Sequence, residues 1–360
     1  MKLLIVKLSA FGDIIHALPA LHDILERPEV DEVHWLVDQR YGFVTEVLPA
    51  RVIVHQVALK GNHPISSAWH AVRKLRPIGF DAVIDLQGLI KSAALARACG
   101  SPVFAFDPQF LREKVSMIFT KNITFHALDR HVVQQYRRIA SAPFTTSLNS
   151  AADTIAYTPP QINIEKSHCK PNKELLKQLK LEHNSYVILH AAGGWQTKQL
   201  PEKSWISIAR NLTDNQITPV FSWGNQVEER QANKLAAESG GYALPERLNM
   251  SALVALIQSA RAVVGADTGL LHLSAALNRP TITFWGPSAS WNSAPFTAEP
   301  IESDNMVEKE IEATISTKGV KHWHIESSPG CGPCFKRTCK EFTCMDAIKP
   351  ESITRIIHEL

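Results

Sequence analysis

Residues 1–21, MKLLIVKLSAFGDIIHALPAL, hold the pattern on which the fold turns: an apolar run, LLIV (3–6), passes through a short turn into a helical pattern. A strand that is apolar along its whole length suits a parallel sheet covered on both faces. Similar runs follow at VHWLV (33–37), AVIDL (82–86), YVILH (186–190), TPVFSW (218–223), AVVGA (262–266) and TITFW (281–285), at spacings that leave room for helices. Strands alternating with helical patterns predict βαβ units and parallel sheets.

The pattern lapses between about residues 143 and 184. There PFTTSLNSAADTIAYTPPQINIEKSHCKPNK mixes Pro, Ser, Thr and Asn without a sustained period, apart from the short helix candidate KELLKQLKL (173–181). That lapse predicts a domain boundary, and 360 residues are enough for two domains with a core each. We read two doubly wound α/β domains, with SITRIIHEL (352–360) as a last amphipathic helix. Ligands of such sheets bind beyond the carboxyl ends of the strands, so the loops there carry the search for chemistry.

With 45% hydrophobic and 20% charged residues, the composition is that of an ordinary soluble globular protein and argues against disorder. No uncharged stretch approaches the roughly 18 to 20 residues of a membrane span, which leads to the expectation of a cytoplasmic protein. The net charge of +3 conceals an asymmetry: residues 51–140 hold 13 Lys and Arg against 5 Asp and Glu, an excess of 13 − 5 = 8. That stretch either meets an anionic partner or is a solvated basic face. Of six cysteines, Cys99 and Cys169 stand alone, whereas CGPCFKRTCKEFTC (331–344) crowds Cys331, Cys334, Cys339 and Cys344 at C-x2-C-x4-C-x4-C spacing. Four such thiols can hold a structural zinc or iron, stay free, or pair as disulfides.

The first loop, LSAFGD (8–13), lacks both GxGxxG and GxxxxGK[ST], which speaks against a nicotinamide fingerprint and a nucleoside-triphosphate cradle. Its lone carboxylate, Asp13, suits a helix cap or a catalytic group, and the two are compatible because a cap keeps the carboxylate ionised. In GADTGLLHLSAAL (265–277), Asp267, Thr268 and Gly269 set a hydroxyl and unpaired N–H groups at a helix start. That is an anion site suited to phosphate, or else a capped turn, and His272 beyond it is a ligand contact or a core histidine. HAAGGWQTKQLPEKSW (190–205) adds a glycine pair for close backbone approach and Lys198 as a mobile cation. In WGNQVEER (223–230), Glu228 is a candidate acceptor for ribose hydroxyls. Together these loops describe a site for a nucleotide diphosphate.

KLSAFGDIIHALPAL (7–21), FDAVIDLQGLIKSAALAR (80–97) and VVGADTGLLHLSAALNRPTITFWGPS (263–288), in this order and spacing, resemble glycosyltransferase family 9, the bacterial lipopolysaccharide heptosyltransferases. The likeness runs over most of the chain, and the first two motifs are closer to the heptosyltransferase I branch than to II. It implies a GT-B architecture, two Rossmann-like doubly wound domains facing across a cleft. Residues 1–165 would bind the acceptor, with a C-terminal helix of about 350–360 packing back on them. Residues 166–349, with the Cys-rich segment 331–344, would bind the nucleotide-sugar donor. The implied reaction is inverting transfer of L-glycero-D-manno-heptose from ADP-heptose to a Kdo residue of the inner core on lipid A. It needs no catalytic metal or other cofactor and no nucleic acid, and it takes place at the cytoplasmic face of the inner membrane, which the enzyme contacts peripherally.

Carried over by residue, the resemblance makes Asp13 the general base and Lys198, one position later than usual in its loop, the diphosphate-binding lysine. Glu228 becomes the ribose contact, Leu248 the residue packing on adenine, and Asp267, Thr268, Gly269, Leu270 and His272 the remaining donor contacts. Ala192 and Gly193 stand where near relatives carry two threonines, keeping backbone amides and losing hydroxyls. On the acceptor side Lys60, Arg112 and Arg137 are the expected cations, Arg137 compensating for Gln135 where an arginine is usual. Other readings of the same residues are a heptosylated core or a protein as acceptor, a GT-B nucleotide-sugar epimerase, and a nucleotide-sugar-binding sensor.

Overall fold

A computed structural model describes residues 1–145, 162–295, 299–300, 311–316, 318–327, 330–341 and 343–360. The chain forms two compact units, Met1–Lys170 and Pro171–Leu360. The boundary lies a few residues beyond the expected 165, because residues 166–168 are tied to the first unit. The Ala50 N–H donates to the Lys166 carbonyl and the His168 N–H to the Leu48 carbonyl. The Asn172 N–H already donates within the second unit, to the Ser251 carbonyl.

The first unit has strands β1 (Lys2–Val6), β2 (Glu32–Asp38), β3 (Val52–Val57), β4 (Ala82–Asp85), β5 (Val103–Ala105) and β6 (Lys121–Asn122). Its helices are α1 (Phe11–His16), α2 (Leu18–Leu25), α3 (Pro64–Leu75), α4 (Ile90–Ala98) and α5 (Val132–Ser141). The sheet runs β3-β2-β1-β4-β5-β6 with every pair parallel. Leu4, Val6 and Val83 pack with Leu75 of α3 and Leu95 of α4, while α5 lies against β4 and β5 with α2 beside it. In this doubly wound order the strand sequence reverses between β1 and β4, so the loops leaving those strands diverge and leave a crevice.

The second unit has β7 (Tyr186–His190), β8 (Thr218–Phe221), β9 (Tyr242–Ala243), β10 (Ala262–Ala266), β11 (Thr281–Trp285), β12 (Glu299–Pro300), β13 (Ile311–Ile315) and β14 (Lys321–Glu326). Its helices are α6 (Glu174–Gln178), α7 (Glu202–Asp214), α8 (Gln226–Ser239), α9 (Met250–Ser259), α10 (Gly269–Ala276), α11 (Ser290–Ser293) and α12 (Pro350–His358). Six parallel strands, β9-β8-β7-β10-β11-β14, repeat the order of the first sheet, and β13 and β12 extend it antiparallel beyond β14. The switch point here lies between β7 and β10.

Each of the seven apolar runs read as strands lies on one. The candidate helix at 173–181 shortens to α6, and Lys180 beyond it has positive φ (52°). In the C-terminal helix Ile353, Ile356 and Ile357 form a stripe at helical spacing that enters the core of the second unit beside Trp205, Ile208 and Leu212 of α7, where the expectation set this helix against residues 1–165.

Candidate active site

In the first unit the loop after β1 is held from several sides. The side-chain oxygen of Gln87, just beyond β4, accepts the N–H groups of Leu8 (2.9 Å) and Ser9 (3.0 Å). Asp85, at the end of β4, accepts the Gln87 N–H (2.9 Å) and the Ser92 hydroxyl (2.9 Å), and its complete burial pushes its carboxyl up to about 6. Lys7 is buried as well and donates to the Leu86 carbonyl (2.8 Å) and the Tyr136 hydroxyl (2.7 Å). Burial draws its ammonium below the usual lysine range, against the raising charges of Asp13 and Asp85.

Helix α1 begins at Phe11, so Asp13 is its third residue, and the carboxylate reaches back to accept the Ala10 N–H at 3.1 Å. Burial, with the Asp13 charge, lifts the Tyr136 phenol well above its ordinary value. Lys7 and Tyr136, joined by their hydrogen bond, thus both feel the Asp13 charge. Arg112 is exposed, and its charge acts on both Lys7 and Tyr136. Lys60, beyond β3, borders a cleft of about 460 Å³ with Asn62, His63, Ser66 and His70.

Arg137 departs from expectation. It is buried, and its guanidinium forks onto Asp23 of α2, Nε to Oδ2 at 2.6 Å and the second nitrogen to Oδ1 at 2.9 Å. The pair ties α5 to α2 and gives Arg137 a packing role in place of an acceptor contact.

In the second unit, loops from both sides of the switch point bring Lys198, Asp267 and His272 together. Lys198 Nζ lies 2.5 Å from Asp267 Oδ2, and His272 Nε2 lies 3.0 Å from Oδ1. Burial raises the Asp267 carboxyl, but the His272 hydrogen bond and the Lys198 charge outweigh it and hold it at about 2. Thr268 is the N-cap of α10 in extended conformation, and its buried hydroxyl has no hydrogen-bond partner among the described residues. The turn closes through the Leu271 and His272 N–H groups to the Thr268 carbonyl (3.1 and 3.3 Å), and the Gly269 and Leu270 N–H groups belong to the open first turn of the helix. Lys198 also sits over the Trp195 ring, 4.4 Å from its centre. Ala192 and Gly193 lie in the same loop, the Gln199 amide donating to the Gly193 carbonyl at 3.4 Å.

Glu228 lies beyond β8, where its carboxylate accepts the Gly224 N–H at 2.8 Å. Its charge offsets the burial that lowers the His190 imidazole at the end of β7. A cleft of about 620 Å³ beside it is bordered by Trp223, Asn225, Val227 and Arg247. Leu248 follows Arg247 and is half-buried ahead of Asn249, the cap of α9. Tyr136 and Lys7 went unread in the sequence: a tyrosine on an amphipathic helix and a lysine after a strand carry no spacing signal linking them to residue 13.

The cysteine segment does not assemble a metal centre. Among the described residues no group of three or more His, Cys, Asp or Glu could hold a metal ion. Cys331 and Cys339 are exposed, whereas Cys344 turns inward, its sulfur 3.1 Å from where a Cβ on Gly286 would stand. All four are free thiols, so the zinc or iron reading has no converged ligand set. No described helix is long and apolar enough to cross a membrane.

Comparison with known proteins adds to this geometry. The family model for Glycosyltransferase family 9 (heptosyltransferase) matches residues 68–341. Lipopolysaccharide heptosyltransferase 1 of Escherichia coli K12 is 30% identical over 80% of this chain and 88% of its own length. The protein of that name from Pseudomonas aeruginosa is 28% identical over 94% of this chain and 87% of its own. The solved structure of E. coli heptosyltransferase WaaC with ADP superposes with a TM-score of 0.73 at 24% identity, covering 100% of this chain and 99% of that one. With two units of Rossmann order, that likeness gives the GT-B fold class.

Proposed function

The chain belongs to glycosyltransferase family 9, the heptosyltransferases, and on that premise we propose that it transfers L-glycero-D-manno-heptose from ADP-heptose to a Kdo residue of the lipopolysaccharide inner core, inverting the anomeric centre. The observation that carries the reading is the Lys198–Asp267–His272 triad beside the unpartnered Thr268 hydroxyl at the β7/β10 switch point. One cation, one free hydroxyl and a helix start meet where a diphosphate's negative charge would be stabilised. Asp267 holds the Lys198 ammonium in place through its carboxylate and its carbonyl, and the remaining N–H donor of that ammonium stays available to phosphate oxygens.

In the proposed reaction an acceptor hydroxyl of Kdo attacks the anomeric carbon of heptose while the bond from that carbon to the diphosphate breaks. The bonding pair leaves with ADP, and the acceptor proton passes to Asp13. Attack opposite the leaving group inverts the centre. Lys198 and the first turn of α10 stabilise the charge that grows on ADP, and the hydrogen bond from the Ala10 N–H holds the carboxylate that takes the proton. Glu228 accepts from the ribose, Leu248 packs on adenine, and Lys60 and Arg112 meet acceptor anions. The reading includes an enzyme that works peripherally at the cytoplasmic face of the inner membrane.

Incubation of the purified protein with ADP-heptose and defined Kdo-lipid A acceptors, read by mass spectrometry, tests this. One heptose added per Kdo acceptor, with ADP released in equal amount, is the expected result. ADP-heptose consumed without acceptor would move the reading to an epimerase, and binding without turnover to a sensor.

A further inference from the structure

The cysteine segment is tied at three points to loops of the second unit. Thr197, in the tight turn Gln196–Lys198, donates its hydroxyl to the Lys336 carbonyl at 2.7 Å. The Phe335 N–H donates to the Pro287 carbonyl, just beyond β11, at 2.7 Å. A Cβ on Gly286 would stand 2.6 Å from Met345 Sδ and 3.1 Å from Cys344 Sγ, so the end of the segment lies directly on the same loop. Arg337 follows the first two ties. Its guanidinium carbon is 5.3 Å from the centre of the Trp195 ring, and the Lys198 ammonium is 4.4 Å from the centre of that same ring. One indole therefore carries two cations, brought to it by segments far apart in the chain.

The charges around that ring do not balance. Lys198 is paired with Asp267, so their formal charges cancel, whereas Arg337 is exposed and has no carboxylate partner among the described residues. Like charges drawn to one place repel, and a ring quadrupole offsets only part of that cost. An anion between them removes it. A diphosphate in turn carries more negative charge than an ammonium already matched by a carboxylate can offset. We propose that Arg337 is a second cation of the donor site, its planar fork of N–H groups taking diphosphate oxygens while the Trp195 ring orients both cations. The inference deepens the functional reading and rests on its diphosphate site. It also gives the cysteine segment a place in that site, as the strap that carries Arg337 to it.

The experiment is calorimetric titration of the full chain, as parent, Arg337→Gln and Arg337→Lys, with ADP and with adenosine, which lacks the diphosphate. Arg337→Gln should bind ADP about tenfold more weakly than the parent and adenosine equally well. Arg337→Lys, which keeps the charge and loses the fork, should fall between them, about threefold weaker for ADP. Urea midpoints of both variants should match the parent, since the side chain is exposed. Parent-like ADP binding by Arg337→Gln overturns the proposal, and so does an equal loss of ADP and adenosine, because the residue then acts on the fold or on the base. A parent that binds ADP no better than adenosine removes the diphosphate site and the proposal with it. Heptose transfer to a Kdo acceptor, measured on the same preparations, separates the two readings: a parent that shows the Arg337 effect on ADP yet transfers nothing leaves the second cation standing and removes the functional reading.

Discussion

Asp13 and Asp267 are carboxylates just beyond β1 and β10, and their surroundings set them to different work. Asp13 is half-exposed, accepts from the Ala10 N–H and has no cation bonded to it among the described contacts, which suits a group that must take up a proton. Asp267 is clamped by Lys198 and His272 and held at about 2, which suits a group that must never take one. The second case carries a pH signature. Its folded pKa lies below the unfolded carboxylate value, so the unfolded chain binds the proton first and acid favours unfolding. The stability it contributes, roughly 2 kcal/mol for a shift of this size, is complete above about pH 4 and is lost as pH falls toward 2. Urea unfolding should show the gap between the parent and Asp267→Asn closing over that range.

The strand-loop-helix unit is the element that both sites use, and in each unit a second motif holds the first. Gln87 pins the loop after β1 in one, and Gly265 of β10 sets the close approach in the other. A Cβ on Gly265 would stand 2.7 Å from Leu271 Cδ2 and 3.1 Å from the His190 carbonyl oxygen. The Leu271 end can turn aside, but the backbone of β7 cannot move without disturbing the sheet. Gly265→Ala should therefore cost about 1 to 3 kcal/mol by overpacking, seen as a lower urea midpoint with an unchanged slope. At this scale the sequence is legible where strands are wholly buried, as at LLIV and AVVGA, because an unbroken apolar run has few other uses. It is less so at β3 and β14, where VIVHQV and KHWHIE interleave polar residues on an edge strand and beside an antiparallel extension. The loops of the donor site could be read from their glycines and charges, whereas Arg137 could not: a basic residue on an amphipathic helix reads the same whether it meets an acceptor or Asp23. The cysteine spacing left metal, free thiols and disulfides open, and the four thiols are free, Cys344 turned toward the core and Cys331 and Cys339 exposed.

For the whole molecule, the two units have separate cores and separate switch points, and the proposed reaction divides its labour between them, with donor contacts in residues 171–360 and the base in residues 1–170. The test is to measure, on Asp13→Asn, both the turnover of heptose onto a Kdo acceptor and the dissociation constant for ADP by calorimetry. Positioned general-base catalysis is worth roughly 10²- to 10⁴-fold, so turnover should fall by that factor while ADP binds the variant as it binds the parent. Turnover within a few fold of the parent, in a variant that is folded and binds ADP, would contradict the assignment of Asp13 as the base and return it to the helix end it caps.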